Sequence, residues 1–321
     1  MDGDAVFAFH DLAPDVQSFR SAVLEGLSRD PPAIPCKFFY DERGSALFEE
    51  ICRLPEYYPT RTEIAILEDN ADEIAAQMGR HCRLIELGSG ASRKVRILLQ
   101  ALDRPGAYVA VDISREHLRQ AAAALAADFP GLPVVAVCAD YTRRFALPAL
   151  PGPSGKRVGF FPGSTIGNFE PGAVVAFLRN CARILGPGGE MLIGVDLKKD
   201  TDTLEAAYND RAGVTSAFNL NLLERINREL DGDIDLDRFE HYAFYNEAEG
   251  RIEIYVKSLA NQQARIAGRR FRFAKDQLIH TEYSYKYTIP EFRDLAATAG
   301  FHAVDTWTDR ADLFSVHYFR L

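Results

Sequence analysis

The sequence predicts a parallel, doubly wound α/β sheet joined to a second, α+β domain. Three observations carry that expectation. Between Arg83 and Val195 short β-rich apolar runs alternate with helical stretches, the pattern of repeated strand–helix–strand units. After Asp196 the alternation stops, and a largely helical, acidic stretch gives way to β-like alternation before a helix and two strands close the chain. The length, 321 residues, suits two domains or one large α/β domain and is enough to bury a core without staples.

In chain order, an amphipathic helix is expected near Asp15 to Leu27, before the turn Asp30-Pro31-Pro32. The next helix carries Leu47, Phe48 and Ile51 on one face and stops before Pro55, as a helix must where a residue lacks its N–H. Thr62 to Met78 reads as a longer helix with Ile64, Leu67, Ala71 and Ile74 on one stripe. Arg83 to Leu87 is a strand ending at Gly88, Val95 to Leu102 a helix, Tyr108 to Asp112 a strand and Arg115 to Ala127 an Ala-rich helix. Pro133 to Cys138 and Arg157 to Phe161 are the third and fourth strands. Ala173 to Leu185 is a helix ended by Gly186-Pro187-Gly188-Gly189, and Met191 to Val195 is the fifth strand. Thr201 to Leu230 is helical; Arg251 to Val256, Ala264 to Phe273 and Leu278 to Tyr287 are β-like. Ile289 to Ala299 is a helix, and His302 to Thr306 and Phe314 to Arg320 are strands. The first domain is expected over residues 60–200 and 288–321, the second over 10–59 and 201–287.

Composition narrows the function. With 37 Lys+Arg against 46 Asp+Glu the net charge is −9, which argues against binding nucleic-acid backbones. The longest apolar run, Leu132 to Ala139, is far short of the roughly 18–20 residues that span a bilayer, so no membrane partner is expected. Met1-Asp2-Gly3-Asp4 lacks the basic start of a secretory signal. Cys36, Cys52, Cys82, Cys138 and Cys181 are odd in number and form no C-x-x-C, which points to reduced thiols in the cytoplasm. The seven histidines are scattered without H-E-x-x-H, so no metal is expected.

The sharpest chemical signal is Ile85-Glu86-Leu87-Gly88-Ser89-Gly90-Ala91-Ser92, at a strand end and opening a helix. Its first glycine permits a tight turn and its second lets the backbone approach a ligand. Asp112, ending the next strand 22 residues after Gly90, could accept hydrogen bonds from both ribose hydroxyls of a nucleoside. A nicotinamide dinucleotide needs G-x-G-x-x-G to cradle its pyrophosphate, and here the third position is Arg93. S-adenosylmethionine carries no pyrophosphate, so E-L-G-S-G favours it, with the nicotinamide reading left open. Asp140, after the third strand, could accept from the adenine amino group while the next backbone N–H, that of Tyr141, donates to the ring. Lys94 could pair with the cofactor carboxylate.

Four further stretches add a resemblance: Phe38-Phe39-Tyr40-Asp41, Leu54-Pro55-Glu56-Tyr57-Tyr58-Pro59-Thr60-Arg61-Thr62-Glu63, Gly163-Ser164-Thr165-Ile166-Gly167-Asn168 and Ala212-Gly213-Val214-Thr215-Ser216-Ala217-Phe218-Asn219. With the glycine loop they resemble the histidine-specific, adenosylmethionine-dependent Nα-methyltransferases of ergothioneine biosynthesis, from about Asp15 to Leu321. The resemblance implies a class I methyltransferase core with a second, substrate-binding domain. It implies trimethylation of the α-amine of L-histidine to hercynine; separately, a monomer is expected. It places Tyr57 against histidine, Asn168 and Tyr208 on its α-amino and carboxylate end, Glu282 and Ser284 on the imidazole, and Tyr40 near the amine being methylated. Tyr283, between the last pair, joins the substrate set. Gly88, Lys94, Asp112, Asp140 and Tyr141 fall on cofactor positions. Two residues depart from the family pattern: Ile254 stands where methionine is expected, and Tyr283 where a small apolar residue is. Both bear on which amino acid is accepted, so a methyltransferase for another amino acid such as tryptophan stays open.

Without those motifs the same residues have plainer readings. Tyr57 and Tyr58 would pack beside Pro59, Tyr208 would be core, Glu282 would face solvent, and Asn168 would cap the helix near Pro171. Arg269-Arg270-Phe271-Arg272-Phe273 reads as an alternating strand with a charged face. Asp231 to Asp237 has a D-x-D-x-D pattern but lacks the glycine and glutamate of a calcium loop.

Overall fold

The computed structural model describes residues 7–14, 18–89 and 93–321. Met1 to Asp4, the Asp15 end of the first expected helix and Gly90 to Ser92 of the glycine loop lie outside those residues. The elements run β1 (Phe7–Asp11), α1 (Phe19–Gly26), α2 (Glu42–Ile51), α3 (Tyr58–Met78), β2 (Arg83–Leu87), α4 (Arg93–Ala101), β3 (Ala107–Asp112), α5 (Arg115–Asp128), β4 (Val134–Cys138) and β5 (Arg157–Phe161). There follow α6 (Pro171–Leu185), β6 (Glu190–Asp196), α7 (Thr201–Tyr208), α8 (Val214–Glu229), β7 (Phe239–Asn246), β8 (Arg251–Ser258), β9 (Gln262–Ile266), β10 (Arg269–Phe273), β11 (Leu278–Tyr285), α9 (Ile289–Ala297), β12 (His302–Thr308) and β13 (Phe314–Arg320). The chain divides into two compact units, Met1–Val16 with Arg61–Leu197 and Tyr287–Leu321, and Gln17–Thr60 with Lys198–Lys286.

The first unit is built on an eight-stranded sheet in the order β1-β4-β3-β2-β5-β6-β13-β12. Strands β1 to β6 are parallel, and β13 runs antiparallel to both β6 and β12. Every residue of β4 and β6 is buried, and nearly every residue of β2, β3 and β5, because helices cover both faces; that is why these strands read as unbroken apolar runs. Leu67 and Ile74 of α3 pack into the core with Leu84, Leu98, Leu118, Val134 and Phe160. Helix α3 starts four residues before the expected Thr62. Pro59 sits in its first turn, where an N–H has no intrahelical partner to lose. Strand β1 corrects the expected boundary at residue 10, because Phe7 to Asp11 pair with Val134 to Cys138 of the large sheet.

The second unit contains the antiparallel sheet β11-β8-β7, the hairpin β9-β10 and helices α1, α2, α7 and α8. Phe39, Leu222, Ile226, Val256, Phe271, Phe273 and Ile279 share its core. The stretch Ala264 to Phe273 is two strands, turned at Ala267 and Gly268, both with positive φ as a tight hairpin turn requires. Phe271 and Phe273 are buried while Arg269, Arg270 and Arg272 are exposed, the expected alternation. The largely helical stretch expected over Thr201 to Leu230 is two helices, broken between α7 and α8. There Gly213 takes φ +75°, and the Asp210 carboxylate accepts from the N–H groups of Val214 and Thr215 at 2.9 and 2.7 Å. Strand β7 was not read from the sequence.

Candidate functional site

The parallel sheet reverses order at β2, whose neighbours are β3 and β5, and ligands of such sheets lie beyond the carboxyl ends of the strands at that switch point. Gly88, Asp112, Asp140, Tyr141 and Asn168 all follow or end these strands. Gly88 has φ +78°, so the turn geometry favours glycine, and the Tyr141 ring lies against it, 3.5 Å from where a Cβ would stand. Tyr141 is fixed edge-on to Phe161 and Phe177, with its carbonyl accepting from Asn180 Nδ2 at 3.0 Å. Asp112 accepts the Ser114 N–H at 2.8 Å, and burial lifts its carboxyl above the ordinary range. Asp140 accepts from the N–H and hydroxyl of Thr142 at 3.0 and 2.6 Å, shaping its own loop. Ser89 is buried, and its hydroxyl has no hydrogen-bond partner among the described residues.

Two carboxylates that the sequence reading left without a role organise this end of the sheet. Glu63, the last residue of L-P-E-Y-Y-P-T-R-T-E, is fully buried. It accepts from Lys94 Nζ at 2.5 Å and from the Gly163 N–H at 2.8 Å, so one side chain ties the glycine-loop lysine to the G-S-T-I-G-N turn. A Cβ on Gly194 would fall 2.5 Å from Glu63 Oε1. Glu86 is buried and accepts from the Tyr108 hydroxyl; burial pushes its carboxyl up to about 7. Asn168 ends the 3₁₀ turn Thr165–Asn168 after β5; the residue flanking α6 is Glu170, so Asn168 does not cap that helix.

The residues present fit an adenosylmethionine. The conformation of Gly88, the unpartnered Ser89 hydroxyl and the Asp112 carboxylate supply a tight turn, a polar group and a diol acceptor, while Lys94 offers a cation beside them.

In the second unit a bulge in β11 between His280 and Glu282 resets the alternation. Thr281 turns inward and donates to Asn219 Oδ1 at 3.0 Å. Glu282 then lies opposite Ile254 and Ser284 opposite Ile252. Glu282, Ser284 and Lys286, alternate residues of one extended run, share a face. Tyr208, at the end of α7, meets that face: its hydroxyl is 2.9 Å from Ser284 Oγ and 2.9 Å from Lys286 Nζ. Tyr57 stands edge-on to Tyr208 with ring centres 6.3 Å apart. Tyr40 is exposed and edge-on to Phe48 and Phe218. Glu282 has no hydrogen-bond partner among the described residues, and burial raises its carboxyl to about 7 against the pull of Lys286. Its side chain is of intermediate exposure, between the solvent-facing reading and full burial, and Tyr208 is core, as its plain reading has it, with its hydroxyl hydrogen-bonded inside the unit.

Tyr283 is corrected. It lies on the opposite face of β11 from Glu282 and Ser284, its ring 3.9 Å from that of His280 and 3.8 Å from the Arg251 guanidinium, where it cannot line the Glu282 cluster. Lys286, buried against the Tyr208 and Ser284 hydroxyls, is the residue the sequence reading missed; its signal was a lysine two places beyond Ser284 on the same strand phase.

The described residues contain no cluster of metal-binding side chains and no helix long and apolar enough to cross a membrane. Residues 19–321 match the family model for histidine-specific, S-adenosylmethionine-dependent methyltransferases. The histidine N-alpha-methyltransferase of Mycolicibacterium smegmatis is 42% identical over 95% of this chain and 96% of its own length. Its namesake in Mycobacterium tuberculosis is 40% identical over 93% of this chain and 94% of its own. Ergothioneine biosynthesis protein 1 of Neurospora crassa is 36% identical over 87% of this chain, which aligns with 32% of that longer protein.

Proposed function

Because the chain belongs to the histidine-specific, S-adenosylmethionine-dependent methyltransferases, we propose that it trimethylates the α-amine of L-histidine to hercynine, opening ergothioneine biosynthesis. The observation that carries the substrate is the grouping of the Glu282 carboxylate with the Ser284 hydroxyl on one face of β11, where Ser284 is held by the Tyr208 hydroxyl. A neutral imidazole offers one donor and one acceptor, and a carboxylate beside a hydroxyl satisfies both. A pocket that hydrogen-bonds a polar side chain also rejects analogues lacking it.

In this reading Gly88, Asp112, Asp140, Tyr141 and Lys94 hold adenosylmethionine, which supplies an electrophilic sulfonium methyl. Asp112 takes the ribose hydroxyls, Asp140 and the Tyr141 backbone the adenine, and Lys94 the carboxylate. Tyr57, Tyr208 and Asn168 hold the amino-acid end, and Tyr40 sits by the amine. The nucleophile must be a neutral amine, and the leaving group needs no help. The side chains therefore contribute position and exclusion of water more than acid–base chemistry. The tyrosine faces suit a trimethylammonium product, a contact of about 0.5–2 kcal/mol. We take the enzyme to act as a monomer in the cytoplasm without nucleic-acid or membrane partners. Supporting this, both residue sets lie in one chain, the five cysteines form no disulfide and the net charge is −9.

The test is mass spectrometry after incubation with S-adenosylmethionine and an equimolar mixture of the twenty amino acids. Mono-, di- and trimethylated histidine alone is expected. Methylation of tryptophan or another amino acid instead would overturn the substrate and direct attention to Ile254, which faces Glu282 across the strand pair.

A further inference from the structure

We propose that Lys286 is a positioning residue for substrate recognition, setting the Tyr208 and Ser284 hydroxyls as a donor and keeping Glu282 an acceptor beside them. The inference rests on the histidine reading of the same cluster and assigns it a control element.

Three contacts form a closed triangle. Lys286 Nζ donates to Tyr208 Oη at 2.9 Å and to Ser284 Oγ at 2.8 Å, and the two hydroxyl oxygens are 2.9 Å apart. An ammonium can only donate, so it takes one lone pair of each hydroxyl. One hydroxyl then donates to the other. Where Tyr208 donates to Ser284, the Ser284 oxygen has both lone pairs filled, by Tyr208 and Lys286, and its own O–H must point out of the triangle. Without the ammonium the same two hydroxyls could turn and accept instead. Lys286 is 1% exposed as a residue, and its ammonium lies 4.8 Å from the centre of the Tyr208 ring, a buried place that bulk water does not share.

The same charge acts on Glu282, four residues earlier on the same face. The titratable side chains around that carboxylate are Cys36, Tyr57 and Lys286, with Tyr208 next to Tyr57. Lys286 is the cation of the group, and it opposes the effect of burial on the Glu282 carboxyl. Ionised Glu282 and an outward O–H together match the N–H and the bare nitrogen of one neutral imidazole tautomer. With the O–H held outward, protonating Glu282 sets a second donor against the one bare nitrogen; with Glu282 ionised, a hydroxyl pair turned to accept sets two acceptors against the one N–H.

The experiment compares Lys286→Met and Lys286→Arg with the wild type, after verifying that each is folded by its thermal shift with S-adenosylmethionine. Lys286→Met should raise KM for histidine about tenfold or more with little change in cofactor affinity. It should also move the acid limb of kcat/KM for histidine to higher pH. The substrate's own titration is common to all the proteins and cancels. Lys286→Arg should recover most of the pH position but less of the KM, because a planar guanidinium keeps the charge and cannot reproduce a single nitrogen on both oxygens. An unmoved acid limb, or equal losses toward histidine and cofactor, would overturn the proposal. Carbon-13 NMR of the Glu282 carboxyl in Lys286→Met and wild type reads the charge effect without any substrate. If histidine is not the substrate, that titration still moves upward while the kinetic comparison is replaced. If Lys286→Met does not fold, Lys286→Gln, which keeps a donor and loses the charge, takes its place with the same expected shift.

Discussion

Glu86 and Glu282 are both pushed up to about 7 by burial, although one receives a tyrosine hydroxyl and the other lies near a lysine. Desolvation wins because a carboxylate removed from water loses more than a single neutral donor or a nearby cation restores. For Glu86 this has a signed consequence. Its folded-state value lies above the ordinary carboxyl value, so the folded protein holds a proton that the unfolded chain has released between about pH 4.5 and 7. Stability from this group is complete below that window and is lost as pH rises through it. Glu86→Gln, which keeps an acceptor for Tyr108, should gain stability relative to the wild type from pH 5 to pH 8, by up to ~3 kcal/mol. Denaturant midpoints across that range measure it, and a constant difference would refute it. A second prediction is reciprocal. Asp112→Ala should weaken cofactor binding by about 10–100-fold and spare histidine, the loss of charge-assisted hydrogen bonds to hydroxyls. Glu282→Ala should do the reverse, and calorimetric titration with each ligand separates the two. Tyr283 shows how far a residue-by-residue transfer can be trusted. Its neighbours on the strand carry polar groups into the cluster, but period-two geometry puts its own ring against His280 and Arg251.

At the scale of elements, the break between α7 and α8 matters most, because it ends the helix that delivers Tyr208. Asp210 secures the start of α8 through two backbone N–H groups, and these bonds hold its carboxyl below the ordinary range despite burial. Asp210→Ala should cost about 1–2 kcal/mol of stability. It should also raise KM for histidine through the displaced Tyr208, with cofactor affinity unchanged; a fully stable variant would show that water can replace the cap. This break was invisible to a reading that joined Thr201 to Leu230, since Ala212 and Val214 continue the apolar pattern across Gly213. The parallel strands β2 to β6 were legible because burial on both faces leaves no room for polar residues. Strand β7 was not: Phe239-Glu240-His241-Tyr242-Ala243-Phe244-Tyr245-Asn246 mixes one exposed aromatic, Tyr242, with half-buried aromatics and a half-buried histidine, so neither period stands out. Strand β1 fails differently. At the edge of the sheet its Phe7 and Asp11 are exposed and its partner β4 lies more than a hundred residues away, a pairing no local pattern encodes.

At the scale of the whole chain, what separates the methyltransferase from the dehydrogenase reading is which nucleotide stabilises the fold. Both cofactors would use the switch point beside β2 and an acidic residue ending β3, so strand order does not decide between them. The loop does. A pyrophosphate needs a third close backbone approach where this chain has Arg93 at the start of α4, whereas a methionine chain needs a cation for its carboxylate, and Lys94 stands on α4 held by Glu63. A ligand that binds only the folded state stabilises it by about 2.7 kcal/mol at a hundred times its Kd. S-adenosylmethionine at that excess should therefore raise the unfolding temperature by several degrees, rising further with the logarithm of its concentration. A nicotinamide dinucleotide at equal concentration should leave it unmoved. Asp112→Ala should shift the adenosylmethionine response to higher concentration without changing its form, because the diol contact contributes affinity and not the fold. A response to the dinucleotide that Asp112→Ala also weakens would mean that the switch point accepts any adenine nucleoside, leaving the choice of chemistry to the Glu282 cluster alone.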